Sequence, residues 1–304
     1  MKPFITIDEQ GLRDGLQTLR QTVPTETKLR WIGQLVLAGV RRVQVASFVN
    51  PKKVPAMADA AELFARLPQT DSVQFSALVL NTKGVERAIE AGVRYLAVSL
   101  SASNTHSQRN TGMNLTEAQV SFAQMVALAK THNIAVRGGI QCAFGCRFEG
   151  QLDENTVLNI AKRQLDLGVD ELALADSTGM ANPPQLRDLT SRVVELAGGR
   201  AVSLHLHNTE NKGYANVFAG LEAGIRHFDT AFGGLGGCPF IEQATGNIAT
   251  EDTVNMLHQS GYDTGIDIEK IADISAEMAQ LLGEPLPGLV YKLVQHKTIT
   301  NTWA

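Results

Sequence analysis

The chain has 304 residues, 44% of them hydrophobic and 19% charged, with a formal net charge of -4; this suffices for one barrel-sized core. The negative balance and an aromatic content of only 6% exclude a nucleic-acid-binding class. No apolar run is long enough to cross a bilayer, and the N-terminus enters Phe4-Ile5-Thr6-Ile7 without a basic-then-apolar leader, so a soluble, cytoplasmic protein with no membrane partner is expected.

In chain order, apolar β-branched runs over 4–7, 42–48, 73–80, 95–100, 134–141, 171–175, 202–207 and 227–231 predict eight strands. Helical periodicity falls between them over 25–38, 59–67, 83–91, 115–131, 153–167, 183–197, 214–223 and 251–260. Ala38-Gly39-Val40, Ala91-Gly92-Val93, Leu167-Gly168-Val169 and Ala223-Gly224-Ile225 each close a helix, with glycine where a left-handed residue ends it. Eight strand–helix units in about 260 residues fit an α/β protein of the (β/α)8 TIM-barrel class better than an open doubly wound sheet. No G-x-G-x-x-G follows the first strand to support dinucleotide binding. One catalytic domain over 1–304 is expected, with the barrel over about 1–262 and a C-terminal helical cap and tail over 263–304. The three cysteines, Cys142, Cys146 and Cys238, point to a reducing compartment, and Cys142-x3-Cys146 has too few companions for structural zinc.

Chemistry in such barrels gathers at the C-terminal ends of the strands. Strand one runs into Asp8-Glu9-Gln10-Gly11-Leu12-Arg13-Asp14-Gly15, strand two carries Gln44 and ends at Ser47-Phe48, and strand four ends in Ser99-Leu100-Ser101-Ala102-Ser103-Asn104. Strand six ends in Ala175-Asp176-Ser177-Thr178-Gly179, strand seven carries His205 and His207, and strand eight leads into Gly233-Gly234-Leu235-Gly236-Gly237-Cys238-Pro239. Strand alternation sends both imidazoles to one face. Four glycines around Cys238 permit positive φ and close approach to a ligand, which predicts a mobile catalytic loop. Bland alternatives stand beside each residue: satisfied barrel-lining histidines, a surface Arg13–Asp14 pair, a loop-bracing or helix-capping Asp176, and a Cys238 that merely fills a tight turn. Asn247 could be a plain turn residue, with Thr250 or Glu251 as the cap of helix eight. Their joint placement at one barrel end favours a metal-assisted acid/base site.

Gly11-Leu12-Arg13-Asp14-Gly15-Leu16-Gln17, Ser47-Phe48-Val49-Asn50-Pro51-Lys52-Lys53-Val54-Pro55, Asp176-Ser177-Thr178-Gly179, His205-x-His207-Asn208-Thr209 and residues 233–240 with Gly246-Asn247 resemble the 3-hydroxy-3-methylglutaryl-CoA lyase family, in order and spacing, across 9–252. The resemblance implies a TIM-barrel metallolyase with a divalent cation at Asp14, His205, His207 and Asn247, Arg13 facing the oxygen where negative charge develops, and Cys238 as the mobile acid. A carboxylate, two imidazoles and an amide oxygen favour Mg2+ or Mn2+, with Zn2+ as the second candidate. The implied reaction is retro-Claisen cleavage of a 3-hydroxy-3-methylglutaryl-CoA-like thioester to acetyl-CoA and a keto acid such as acetoacetate. Asp176 and Gln44 join the catalytic set, Lys52, Lys53 and Arg109 are loop candidates for the CoA tail, and a homo-oligomer is expected.

Three departures bear on specificity. Gln44 stands where the family has a glutamate and can neither accept a proton nor carry charge. Ala173 replaces a small hydroxyl residue of some members, and Glu210-Asn211-Lys212 differs from the usual turn. The alternatives are therefore a lyase for another 3-hydroxyacyl-CoA, an acetyl-CoA-dependent condensing synthase, or a non-catalytic acyl-CoA or metal-binding relative.

Overall fold

The computed structural model describes residues 2–19, 21–68, 70–237 and 245–301. Among these, β1 (Thr6–Glu9), β2 (Arg42–Ser47), β3 (Gln74–Val79), β4 (Tyr95–Ser101), β5 (Ala135–Gln141), β6 (Glu171–Asp176), β7 (Ala201–Leu206) and β8 (His227–Thr230) pair in parallel in that order. β8 pairs in turn with β1, closing the ring. The fold is the TIM barrel that the alternation of periods predicts. Around it run α1 (Thr25–Leu37), α2 (Ala60–Ala65), α3 (Thr82–Glu90), α4 (Asn104–Thr111), α5 (Leu115–Thr131), α6 (Glu154–Asp166), α7 (Pro183–Ala197), α8 (Gly213–Glu222), α9 (Thr250–Gln259), α10 (Ile268–Leu282) and α11 (Val290–Asn301). No helix among the described residues is long and apolar enough to cross a membrane.

The helix-closing glycines at 39, 92, 168 and 224 all have positive φ, from 76° to 93°. Gly39 is required on a second count, because a Cβ there would lie 2.2 Å from the Gly265 carbonyl oxygen. Three expectations need correction. Strand one runs over Thr6–Glu9 rather than 4–7: Phe4 makes only an isolated bridge to Asp263 and is half exposed, while Asp8 and Glu9 are buried. An apolar-run criterion passes over two carboxylates, yet both have partners inside. Helix α4 has no apolar period and is not anticipated; it is held by its ends, with the Ser103 hydroxyl accepting the His106 N–H at 3.1 Å and Gly112 closing it in the left-handed region. Helix α9 begins after Ala249, which makes no side-chain cap, so neither Thr250 nor Glu251 caps it. Their side chains turn inward instead: Thr250 donates to Glu9 Oε2 at 2.5 Å and Glu251 accepts the Gly233 N–H at 3.1 Å.

Apolar side chains fill the layer between barrel and helices, Trp31, Phe122, Phe228 and Phe232 among the largest. The barrel interior is different. Arg42 on β2 makes two bonds of 2.7 Å to Glu171 on β6, and Arg137 on β5 donates to Asp229 on β8 at 2.7 Å. These strands are not neighbours, so the pairs meet across the lumen. Asp8 joins them, accepting from Arg42 at 3.2 Å and from Arg137 at 3.3 Å. Burial raises the Asp8 carboxyl against the pull of Arg42, and each buried ion here depends on the others. Breaking one such pair typically costs about 3–5 kcal/mol, because it strands a buried charge. The lattice rises from Arg42 and Glu171 at the N-terminal rim to Asp229, and so forms the floor of the barrel mouth.

Candidate active site

At the end of β1 the chain tightens into a π-helical turn, Gly11–Gly15, in which the Gln10 carbonyl accepts the N–H groups of Arg13, Asp14 and Gly15 at 3.0, 2.7 and 3.2 Å. Glycine is needed at its start, since a Cβ on Gly11 would fall 2.4 Å from the Phe232 ring. The Glu9 carboxylate accepts the N–H groups of Gly11 at 2.7 Å and Phe232 at 3.0 Å, tying this turn to the segment after β8. Burial raises the Glu9 pKa to about 7 against these hydrogen bonds. The turn lifts Arg13 and Asp14 over the barrel mouth. From β7, which only β8 separates from β1, His205 and His207 reach the same point, and the segment through Asn247 is strapped onto its end. His207 forms a bridge with Asn247, Asn208 N–H donates to the Gly246 carbonyl at 2.8 Å, and Ile248 N–H to the Leu206 carbonyl at 3.1 Å.

The four side chains expected to hold a cation thereby converge. His205 Nε2 and His207 Nε2 are 3.1 Å apart and stand 3.8 and 3.7 Å from Asp14 Oδ2, and one donor atom from each of the three residues lies within 4.8 Å of the others. Asn247 Nδ2 donates to Asp14 Oδ2 at 2.7 Å and to the Leu235 carbonyl at 2.9 Å. Its Oδ1 is buried with no hydrogen-bond partner among the described residues, an acceptor that a cation would satisfy. Asp229 Oδ2 lies 3.1 Å from His205 Nδ1. A carboxylate can only accept there, so the proton sits on Nδ1 and the Nε2 lone pair faces the site, the arrangement usual behind a metal-bound histidine. Burial alone would raise the Asp14 carboxyl, but the Arg13 guanidinium and both imidazoles hold it well below the ordinary range. This set of oxygen and nitrogen donors can hold a divalent cation.

The model of the HMGL-like family matches residues 5–278. The chain belongs to that family. It is 38% identical to the (R)-citramalyl-CoA lyase of Chloroflexus aurantiacus, over 95% of this chain and 94% of that one, and 38% identical to the hydroxymethylglutaryl-CoA lyase of Pseudomonas mevalonii, over 92% and 93%. Among solved structures, an HMG-CoA lyase from Acinetobacter baumannii in complex with coenzyme A and 3-methylmalate superposes with a TM-score of 0.91 at 38% identity, covering 95% of this chain and 94% of that one. The Bacillus subtilis HMG-CoA lyase does so with a TM-score of 0.92 at 33% identity, covering 97% and 99%. This HMGL-like protein is an enzyme of the lyase type.

The mouth of this HMGL-like lyase opens into a cavity of about 630 Å3, lined by Arg13, Asp14, Gln44, His205 and His207, with Arg137 and Asp229 also in its wall and Lys53 and Gly237 contributing as well. Lys52 and Arg109 are not among the lining residues; Arg109 lies over the Phe148 ring at 4.1 Å. Asp176 is fully buried and braces the loop after β6, accepting the N–H groups of Met180 at 3.0 Å and Ala181 at 3.1 Å, while Asn182 caps α7. Burial raises the Asp176 pKa to about 6 against the opposing pull of His207 and those two amides. Cys238 lies outside the described residues. Asp229 and Arg137 escape a reading that weights strand ends, since both stand mid-strand. The signal available was register: alternation puts Asp229 on the same face as His227, and β7 pairs His205 with Asp229. Asp229→Asn is expected to weaken Mn2+ binding by about 10–100-fold, read by calorimetric titration; unchanged affinity would show that His205 is oriented without it.

Proposed function

We propose that this lyase cleaves a 3-hydroxy-3-methylglutaryl-CoA-like thioester, one with a tertiary 3-hydroxyl and a free carboxylate, to acetyl-CoA and a keto acid, and that it does so with a divalent cation. The observation that carries this is the convergence of Asp14, His205 and His207 on one point beside Arg13, with the Asn247 amide nitrogen bonded to Asp14 and its Oδ1 buried without a partner among the described residues. The names of the relatives support the thioester, and the coenzyme A bound to the A. baumannii enzyme supports the acyl carrier.

In the cleavage the C3 hydroxyl loses its proton, C3 becomes the ketone carbon, and the C2–C3 bonding electrons pass to C2 as the enolate of the acetyl thioester. A Mg2+ or Mn2+ ion held by Asp14, His205, His207 and Asn247 would supply Lewis acidity toward the hydroxyl. Asp14 is the anionic side chain of the cluster, placed to take the hydroxyl proton. Arg13 presents fixed donors to the enolate oxygen, a contribution worth roughly 3 kcal/mol when one donor is lost. Cys238 returns a proton to C2, so that no net proton is consumed. Asp176 holds the β6 loop, and Lys53 at the cavity wall meets the CoA tail. Acetyl-CoA release from racemic 3-hydroxy-3-methylglutaryl-CoA and from other 3-hydroxyacyl-CoAs is expected with Mg2+ or Mn2+ and is expected to stop after chelation. Equal release in chelator would overturn the cation requirement, and no release from any of them would overturn the reaction.

A further inference from the structure

Lys28 stands in the first turn of α1 and is only 1% exposed, yet the cleavage described above makes no use of it. Its ammonium donates to the Ala56 carbonyl at 2.7 Å and to Asp59 Oδ1 and Oδ2 at 2.8 and 2.9 Å. Thr25, at the start of the same helix, donates its hydroxyl to Asp59 Oδ2 at 3.0 Å. Asp59 occupies the position before α2 where an aspartate side chain ordinarily caps a helix, but it makes no cap bond there and turns to α1 instead. The six-residue α2 is thus held from its neighbour and not by its own cap.

An ion pair this deep is a poor source of stability, since desolvation of the two charges offsets much of their attraction and packed apolar side chains of similar volume often do as well or better. What it adds is direction, because all its acceptors must stay within hydrogen-bonding distance of one nitrogen. The chain at both ends of the contact walls the cavity. Val54, Pro55 and Ala56, leading into and forming the turn Pro55–Met57, line it after β2, while Thr18, Leu19 and Thr22 line it just ahead of α1. Ser47 Oγ donates to Gln17 Oε1 at 2.9 Å and joins the same two stretches of chain at the strand ends. The Lys28 contact is a second tie between them.

We propose that Lys28 is a positioning residue for the thioester: by gripping Ala56 and Asp59 it fixes the wall carrying Val54, Pro55 and Ala56 relative to the wall carrying Leu19 and Thr22, and so the shape of the cavity. This rests on the lyase reading above and deepens it by naming what holds two of the cavity's walls in register. Lys28 is not among the lining residues, so its loss acts on binding and leaves the chemical step alone.

The experiment pairs Lys28→Met with the double substitution Lys28→Met/Asp59→Leu. The single variant strands the Asp59 carboxylate and is expected to lower Tm, whereas the double variant removes both charges and is expected to regain it. In both, KM for 3-hydroxy-3-methylglutaryl-CoA at saturating Mg2+ is expected to rise by about tenfold or more. The turnover number and Mn2+ affinity should stay near wild type, the pattern of lost binding common to ground and transition states. Calorimetric affinity of the same thioester for chelator-treated enzyme should fall by the same factor. A KM and affinity that recover together with Tm in the double variant, that never change, or a loss confined to kcat would overturn the positioning role while leaving the lyase reading intact. Thioester binding that weakens in both variants of a protein that does not cleave it would uphold the positioning role and overturn the lyase reading. A wild type that neither binds nor cleaves the thioester would overturn both.

Discussion

Asp14→Asn is expected to abolish tight Mn2+ binding, lowering affinity by about a thousandfold, and to reduce kcat/KM at least as far. The substitution keeps the shape of the side chain and its contact with Asn247, so the turn over Gly11–Gly15 should persist; what it removes is the one formal negative charge of the cluster. Without it, the Arg13 guanidinium faces the cation position uncompensated. Unit charges about 4 Å apart at an effective dielectric near 20 interact by about 4 kcal/mol, and a divalent ion by up to about twice that, so a loss of at least roughly three decades in affinity follows. The measurement is a Mn2+ titration of wild type and variant, with circular dichroism to confirm the fold. Wild-type affinity in Asp14→Asn would remove the proposed centre.

Cys238→Ser is expected to lower kcat by about 10²–10⁴ while leaving Mn2+ affinity unchanged, the signature of a lost general acid and not of a lost ligand. The chain leading to it is shaped by the site. Gly236, two residues earlier, has φ of 119°, and a Cβ there would lie 2.4 Å from Asn247 Nδ2 and 3.2 Å from Asp14 Oδ2. Glycine is thus required because the backbone passes directly against the cation cluster, and Gly237 then lines the cavity. A serine hydroxyl is a far weaker acid than a thiol, so protonation of C2 should limit turnover. Unchanged turnover in Cys238→Ser would reject the role. A parallel loss of Mn2+ affinity would show that the residue acts on the centre's structure instead.

The features that sequence reasoning found are those written into short stretches of chain. The spacing of His205 and His207 places both rings on one face of β7, and the helix-closing glycines announce positive φ, because each depends on backbone geometry within a few residues. The features it missed depend on partners. Asp8 and Glu9 look unlike a strand until Arg42, Arg137 and Thr250 are seen to satisfy them. Helix α4 is polar throughout and is recognisable only from the Ser103 and Gly112 contacts at its ends. Gln44 reads as a departure from a family pattern, but that its amide oxygen meets Arg13, 31 residues away, is set by the fold.

The sequence by itself determined the architecture, the end of the barrel at which polar chemistry collects, and the residue types able to hold a cation, since hydrophobic period and turn chemistry act locally. Only the tertiary structure decided which charges stand behind them. The Arg137–Asp229 and Arg42–Glu171 pairs join residues 92 and 129 positions apart. No local propensity encodes such a pairing; it exists because closing the ring of strands brings opposite walls within hydrogen-bonding distance and leaves buried ions no water to turn to.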